Sequence, residues 1–117
     1  AVNLEKLNIE WTHRQRAPIT SGVLTTAGGL VFAGDVDRYI IAFDQSNGKE
    51  LWRMRLNDVA SSAPITYSAN GKQYLAVTVG HGVIAIDRKA VVPEVTLPLT
   101  PAATLWVFEL PKNENIK

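Results

Sequence analysis

The sequence predicts an all-β fold of antiparallel four-stranded sheets. Short runs rich in β-branched and aromatic residues alternate with glycine, asparagine and aspartate turns, which is the pattern of meandering strands. No segment has the 3.6-residue apolar period of a long amphipathic helix. A motif that ends in tryptophan also recurs, with 41 residues between two of its copies. The predicted strands form two sets, the first at 22–26, 30–33, 39–43 and 50–56 and the second at 64–67, 73–79, 83–86 and 104–110.

Length and composition restrict the possible classes of protein. A chain of 117 residues with 46% hydrophobic content is one folded domain at most. Its formal net charge of +1 and the lack of a basic cluster argue against a nucleic-acid partner. No apolar run approaches the roughly 18 residues that span a bilayer, so we expect no membrane span. The absence of cysteine excludes disulfide frameworks, thiolate metal sites and cysteine nucleophiles within this chain.

The stretch DQSNGKELW, residues 44–52, is one copy of the recurring motif. A period of 41 residues suits one four-stranded blade of a β-propeller. The alanine lets neighbouring sheets approach, the aspartate bonds the turn backbone, the glycine supplies a positive φ and the tryptophan covers the seam between blades. We therefore expect Trp52 to be largely buried, with Trp52→Ala costing about 3 kcal/mol. The motif residues, all interpreted as structural, are Trp11, Ala42, Asp44, Gly48, Trp52, Asp87 and Trp106.

The repeat divides the chain into three predicted segments. Residues 1–16 are the closing strand of a preceding blade, 17–60 are a complete blade, and 61–117 are a C-terminal blade with an insertion at 89–103. The prolines of this insertion predict an extended, non-helical arm over the propeller face or rim. Such an arm shapes a substrate entrance, clasps another subunit, or is only a tolerated loop.

Three stretches resemble the pyrroloquinoline quinone (PQQ)-dependent alcohol dehydrogenases: SGVLTTAGGLVFAGDVDRYIIAFD, SSAPITYSANGKQYLAVTVG and LWVFELP. The match is almost continuous over 9–82 and returns over 104–111. The resemblance implies an eight-bladed propeller with PQQ and a calcium ion on its axis, of which this chain is about two blades. It also implies a periplasmic enzyme that oxidises the hydroxyl of a small alcohol or sugar.

Two blades are too few to close a propeller, since about four to eight are needed. We therefore interpret the chain as the C-terminal part of a larger enzyme, arising by cleavage, by a split gene or as a piece of a longer chain. Its partner is then the rest of the propeller; a ring of several copies of this chain is the lesser alternative. The resemblance places the catalytic aspartate and the calcium ligands in earlier blades, so we expect no catalytic or metal-binding residue here.

Three residues are candidates for contact with the cofactor: Thr20, Ser21 and His81. The family commonly has a tryptophan and a glycine at the positions of Thr20 and Ser21, close to the quinone. A hydroxyl at these positions could bond a quinone carboxylate, and a plain turn is the alternative. His81 lies where the family has a glycine-rich loop at the mouth of the active site, so it contacts cofactor or substrate, or lies on the surface.

The remaining polar residues are interpreted as structural. Asp35 and Asp37 form a D-x-D pair, but the further oxygens of a calcium loop are missing, which favours a turn. His13 is a packed or exposed residue of a predicted strand, and Ser61-Ser62 begins a loop between blades. The arginines at 14, 16, 53 and 55 alternate along strands and predict a solvated or blade-edge face. A cofactor-free propeller that serves as a protein-interaction scaffold is the alternative function.

Overall fold

The chain forms three antiparallel sheets in the computed structural model, which describes residues 1–80, 87–100 and 102–112. The predicted strand at 83–86 and the candidate His81 lie outside the described residues. The all-β fold class is confirmed. The strands are β1 (Val2–Asn3), β2 (Asn8–Ile9), β3 (Leu24–Thr25), β4 (Leu30–Gly34), β5 (Tyr39–Asp44), β6 (Glu50–Arg55), β7 (Ile65–Ala69), β8 (Lys72–Val79) and β9 (Thr104–Leu110), and the helix is α1 (Arg88–Val91).

The four-stranded sheet has the meander order β3-β4-β5-β6 that one propeller blade requires. Its two central strands, β4 and β5, are buried almost throughout. Successive side chains of a strand point to opposite sides, so both faces of the sheet are covered. One face packs against the neighbouring sheet through Phe32, Ile40 and Ala42, where it meets Leu75 and Val77. The opposite face packs against Trp11, and its members are Val31, Ala33, Ile41 and Phe43.

The neighbouring sheet has the order β7-β8-β9, with β9 directly beside β8. Trp106 of β9 is paired with Val77 of β8. It therefore belongs to the third strand of its sheet, whereas Trp52 lies on the fourth strand of the other sheet. The prediction that Trp106 closes a copy of the motif stays a prediction, because the strand predicted at 83–86 lies outside the described residues.

The N-terminal segment differs from the predicted closing strand over 1–16. Strands β1 and β2 pair only with each other, and residues 10–18 are outside strands. The Ala1 amino group donates to the Trp11 carbonyl over 2.7 Å, which closes the hairpin. His13 thus lies on irregular backbone, with its ring centroid 4.6 Å from that of Phe43. A strand cannot extend here because the described residues supply no further partner beside β1 or β2. The assignment of 1–16 to a preceding blade stays a prediction.

The insertion begins with a helical turn, so the prediction of a wholly non-helical segment is wrong. Asp87 caps α1 by accepting from the Ala90 amide over 3.3 Å, and the prolines begin only beyond this turn. The insertion then crosses to the other sheet, where Val92 and Val95 are buried against Val36 of the β4–β5 turn. It is therefore an arm over the end of the four-stranded sheet. Within the ranges described, no helix is long and apolar enough to cross a membrane.

Candidate functional site

The recurring motif forms a turn that seats a tryptophan from an earlier segment of the chain. The Asp44 carboxylate accepts from the Ser46 amide over 2.8 Å, and Gly48 has a φ of 72°. The Trp11 ring lies directly on Gly48, because a Cβ built there would be 2.6 Å from the ring atom Cδ2. Its indole Nε1 donates to the Gln45 carbonyl over 2.8 Å. The contact thus joins the tryptophan of one copy to the turn of the next.

The prediction that Trp52 is largely buried is wrong, since 39% of the residue is exposed. It lies on β6, the outer strand of its sheet, where the edge of its ring meets Phe108 at a centroid distance of 5.3 Å. Beside it runs an apolar groove of about 450 Å³ between the two sheets, lined in part by Leu30 and Leu110. Trp52 is exposed because β9 covers only one side of it. Ala42, opposite Trp52 on β5, is itself buried.

The two serine and threonine candidates lie beside the end of β4, on the chain that leads into β3. The Thr20 amide donates to the Gly34 carbonyl over 2.9 Å. The Ser21 hydroxyl accepts from the Gly34 amide and donates to the Gly22 carbonyl, both over 2.7 Å. The Thr20 hydroxyl oxygen, by contrast, is buried and has no hydrogen-bond partner within the described part of the chain. Ser21 therefore braces the turn, while Thr20 retains its full hydrogen-bonding capacity.

The corresponding segment of the second sheet lies close against the first. A Cβ on Gly22 would be 2.7 Å from the Cβ of Ala63, so only glycine fits this contact. Ser62 and Thr78 share a hydrogen bond of 2.6 Å between their hydroxyls. The leading segments of both sheets thus lie in contact, and each carries two hydroxyl side chains. Their carriers are Thr20, Ser21, Ser61 and Ser62.

The D-x-D pair is used within the β4–β5 turn. Asp35 is buried, and its carboxylate accepts from the Gln15 side chain over 3.1 Å and from the Tyr39 amide over 3.0 Å. Burial raises the pKa of Asp35, and these two hydrogen bonds oppose the rise. Asp37 pairs with Arg55 over 2.8 Å. Both carboxylates therefore stabilise the turn, which agrees with the interpretation of the pair as structural.

The resemblance implies two cofactor groups, a calcium ion and PQQ, and the described residues offer different partners for each. The described ranges contain no group of three or more histidine, aspartate or glutamate side chains that could hold a metal ion. For PQQ, the unpaired O–H of Thr20 can donate one hydrogen bond to an acceptor oxygen of a ligand. Ser21 has one acceptor position left after its two hydrogen bonds. Cofactor contact by Thr20, Ser21 and His81 stays a prediction.

A four-stranded meander that packs face to face with the next sheet, with a tryptophan seated on a glycine turn, defines a β-propeller. The model of the PQQ family "Glucose/ethanol/alcohol dehydrogenase, beta-propeller domain" matches residues 2–75. The chain belongs to this family.

Similar proteins cover nearly the whole chain. The quinoprotein ethanol dehydrogenase of Pseudomonas aeruginosa is 41% identical over 107 residues, which are 92% of this chain and 17% of that protein. The 1-butanol dehydrogenase (quinone) of Thauera butanivorans is 42% identical over 83% of this chain and 16% of its own length. Among solved structures, a europium-containing methanol dehydrogenase superposes with a TM-score of 0.66 at 30% identity, over 80% of this chain and 19% of that one. The chain thus spans about a sixth of the length of the relatives it matches.

Proposed function

We propose that this chain is the C-terminal part of a periplasmic PQQ-dependent dehydrogenase that oxidises an alcohol or sugar hydroxyl. The observation that carries the proposal, in a chain of this family, is the buried and unpartnered hydroxyl of Thr20 beside the end of β4. A buried polar atom without a partner is costly, and a ligand oxygen relieves that cost.

The chain's own residues have a positioning role in this proposal. The Thr20 hydroxyl donates to an acceptor oxygen of the cofactor, and Ser21 fixes Thr20 by bridging Gly34 and Gly22. The close contact of Gly22 with Ala63 keeps the two leading segments together, so the hydroxyl is held before the ligand arrives. When bound, PQQ supplies the two-electron redox chemistry that removes a hydride equivalent from the carbon of the substrate hydroxyl.

The remaining parts of the enzyme come from the rest of the propeller. Two features of the surface suit that partner: the outer edge of β9, which pairs with no strand in the described part of the chain, and the apolar groove beside Trp52. An unpaired strand edge and a large exposed aromatic side chain are both stabilised by covering. In this proposal the rest of the propeller supplies the calcium ligands and the catalytic base.

The proposal is tested by dividing the full-length protein. We expect the 117-residue chain alone neither to bind PQQ tightly nor to oxidise alcohols with calcium and an artificial acceptor. An axial site is walled by many blades, so mixing with the N-terminal remainder should restore binding and turnover. Turnover by the chain alone would contradict its role as a fragment. A reconstituted propeller that binds no quinone would favour a cofactor-free interaction scaffold.

The role of Thr20 has its own test in the full-length protein. Thr20→Val keeps the shape of the side chain and removes the hydroxyl, so PQQ affinity should fall on the order of tenfold, the loss expected for one hydrogen bond to a ligand. Thr25→Val, at an exposed position on β3, is the matched control and should leave the affinity unchanged. Equal affinities of both variants and the parent would exclude Thr20 as a cofactor contact.

A further inference from the structure

Arg38 combines an unusual backbone with an unsatisfied side chain. It lies in the turn between β4 and β5 with a φ of 72°, in the left-handed region that favours glycine. Its backbone is bonded on both sides, since its amide donates to the Asp35 carbonyl over 3.2 Å and its carbonyl accepts from the Leu56 amide over 2.7 Å. Its Nε, however, is buried and has no hydrogen-bond partner among the residues that the structure describes. The turn would be satisfied by glycine, so the arginine side chain requires another explanation.

Other arginines in the chain show what this group binds. Arg53 holds Glu50 with Nε and Nη2, each 2.6 Å from a carboxylate oxygen. Arg16 holds Glu94 in the same way, with Nε at 2.7 Å and Nη2 at 3.1 Å. In both pairs the parallel N–H groups of the guanidinium match the two oxygens of a carboxylate. The Nε of Arg38 is the same kind of N–H donor, but none of the described residues provides an acceptor for it.

We propose that Arg38 binds a carboxylate beside the β4–β5 turn. The two acidic side chains of the turn do not serve, because Asp35 is bonded to Gln15 and Tyr39 while Asp37 is paired with Arg55. Arg38 is partly exposed as a whole, so rotation about its side-chain torsions brings Nε and one Nη to the surface as a fork. The carboxylate is either an aspartate or glutamate from the rest of the protein or a free small molecule.

The test compares Arg38→Gly with Asn70→Gly in the full-length protein. Asn70, in the β7–β8 turn, also has a positive φ of 51°, so glycine relieves the same kind of backbone strain there without removing a cation. Thermal unfolding is measured from about pH 3 to pH 8, without added carboxylate and across a malonate titration. Arg38→Lys is a second variant, which keeps the charge and removes the fork.

Each source of the carboxylate gives its own result. If the carboxylate belongs to the protein, Arg38→Gly lowers the melting temperature without malonate while Asn70→Gly does not. This difference between the two variants disappears below about pH 4, where a carboxylate is protonated. With a free carboxylate, the melting temperature without malonate does not fall, but malonate affinity drops about tenfold in both Arg38 variants. The proposal is overturned if Arg38→Gly changes the melting temperature as Asn70→Gly does and leaves the malonate response unchanged.

Discussion

The seat of Trp11 on Gly48 gives a prediction in which the effect of side-chain contact can be separated from that of backbone strain. In Gly48→Ala the new Cβ would lie 2.6 Å from Cδ2 of the indole, so the ring must move away. Left-handed backbone costs a residue with a Cβ about 1–2 kcal/mol. Loss of the bond from the indole Nε1 to the Gln45 carbonyl adds about 1 kcal/mol, and lost packing of the ring adds about 1 kcal/mol more. The total is about 3–4 kcal/mol.

Gly71→Ala is the matched control for this substitution. Gly71 has the same φ of 72° as Gly48, and no atom lies within 4 Å of a Cβ built there. It should therefore lose only the backbone term of about 1–2 kcal/mol. Urea unfolding of the full-length protein, followed by tryptophan fluorescence, measures both losses as shifts of the midpoint. Equal losses in the two variants would refute the claim that Gly48 is needed as the seat of Trp11.

Three further predictions follow from single contacts. Trp106→Phe should lower the free energy of unfolding in urea by about 1 kcal/mol, because it removes the hydrogen bond of 2.6 Å from the indole to Asn57 and keeps an aromatic ring. An unchanged free energy of unfolding would contradict this role of the indole. Gly22→Ala should lower the melting temperature, since its Cβ would lie 2.7 Å from the rigid Cβ of Ala63, and an unchanged value would show that the two segments can separate freely. Burial raises the pKa of Asp35 above 3.8, so the folded state binds this proton more tightly and stability falls as pH rises through the folded pKa. The melting temperature of Asp35→Asn should therefore rise relative to that of the parent as the pH rises from about 3 to 7. A constant difference between the two melting temperatures would contradict the raised pKa of Asp35.

The sequence was sufficient for features that depend on local chemistry. The alternation of β4 and β5 and the turn at Gly48 follow from side-chain period and from the demand for a positive φ. The capped turn α1 was missed, although Asp87 before three non-proline residues is a recognisable start signal. The positive φ of Arg38 also had a signal, because it ends a tight turn between two apolar runs.

Features that depend on which segments are neighbours could not be predicted. Spacing identified Trp11 and Trp52 as members of one repeat, but not that the first docks on the turn of the next copy while the second stays partly exposed. The place of Trp106 on a strand beside β8 depends on pairing across the long connection, which leaves no local pattern in the sequence. The unpartnered hydroxyl of Thr20 is likewise a product of tertiary packing, since any exposed threonine has the same sequence signal.

The loop over 57–60, between the two sheets, explains how so long a connection returns to a defined place. At one end of the connection between β8 and β9, the Gly80 amide donates to the Val59 carbonyl over 2.8 Å. At the other end, the Asn57 side chain donates to the Thr104 hydroxyl over 3.0 Å, and Asp58 accepts from the Ala102 amide over 3.4 Å.

Both ends of the connection between β8 and β9 are thus bonded to one short loop, which limits the closure entropy that a free connection of this length would cost. The same loop leads through Ala60 into the segment that carries Ser61 and Ser62, and a Cβ on Gly34 would lie 2.6 Å from the Cβ of Ala60. The two ends of the connection and the segment that carries Ser61 and Ser62 are therefore joined through the same loop. A change in the loop should move the two together, so an effect on ligand binding from the arm does not require the arm to touch the ligand.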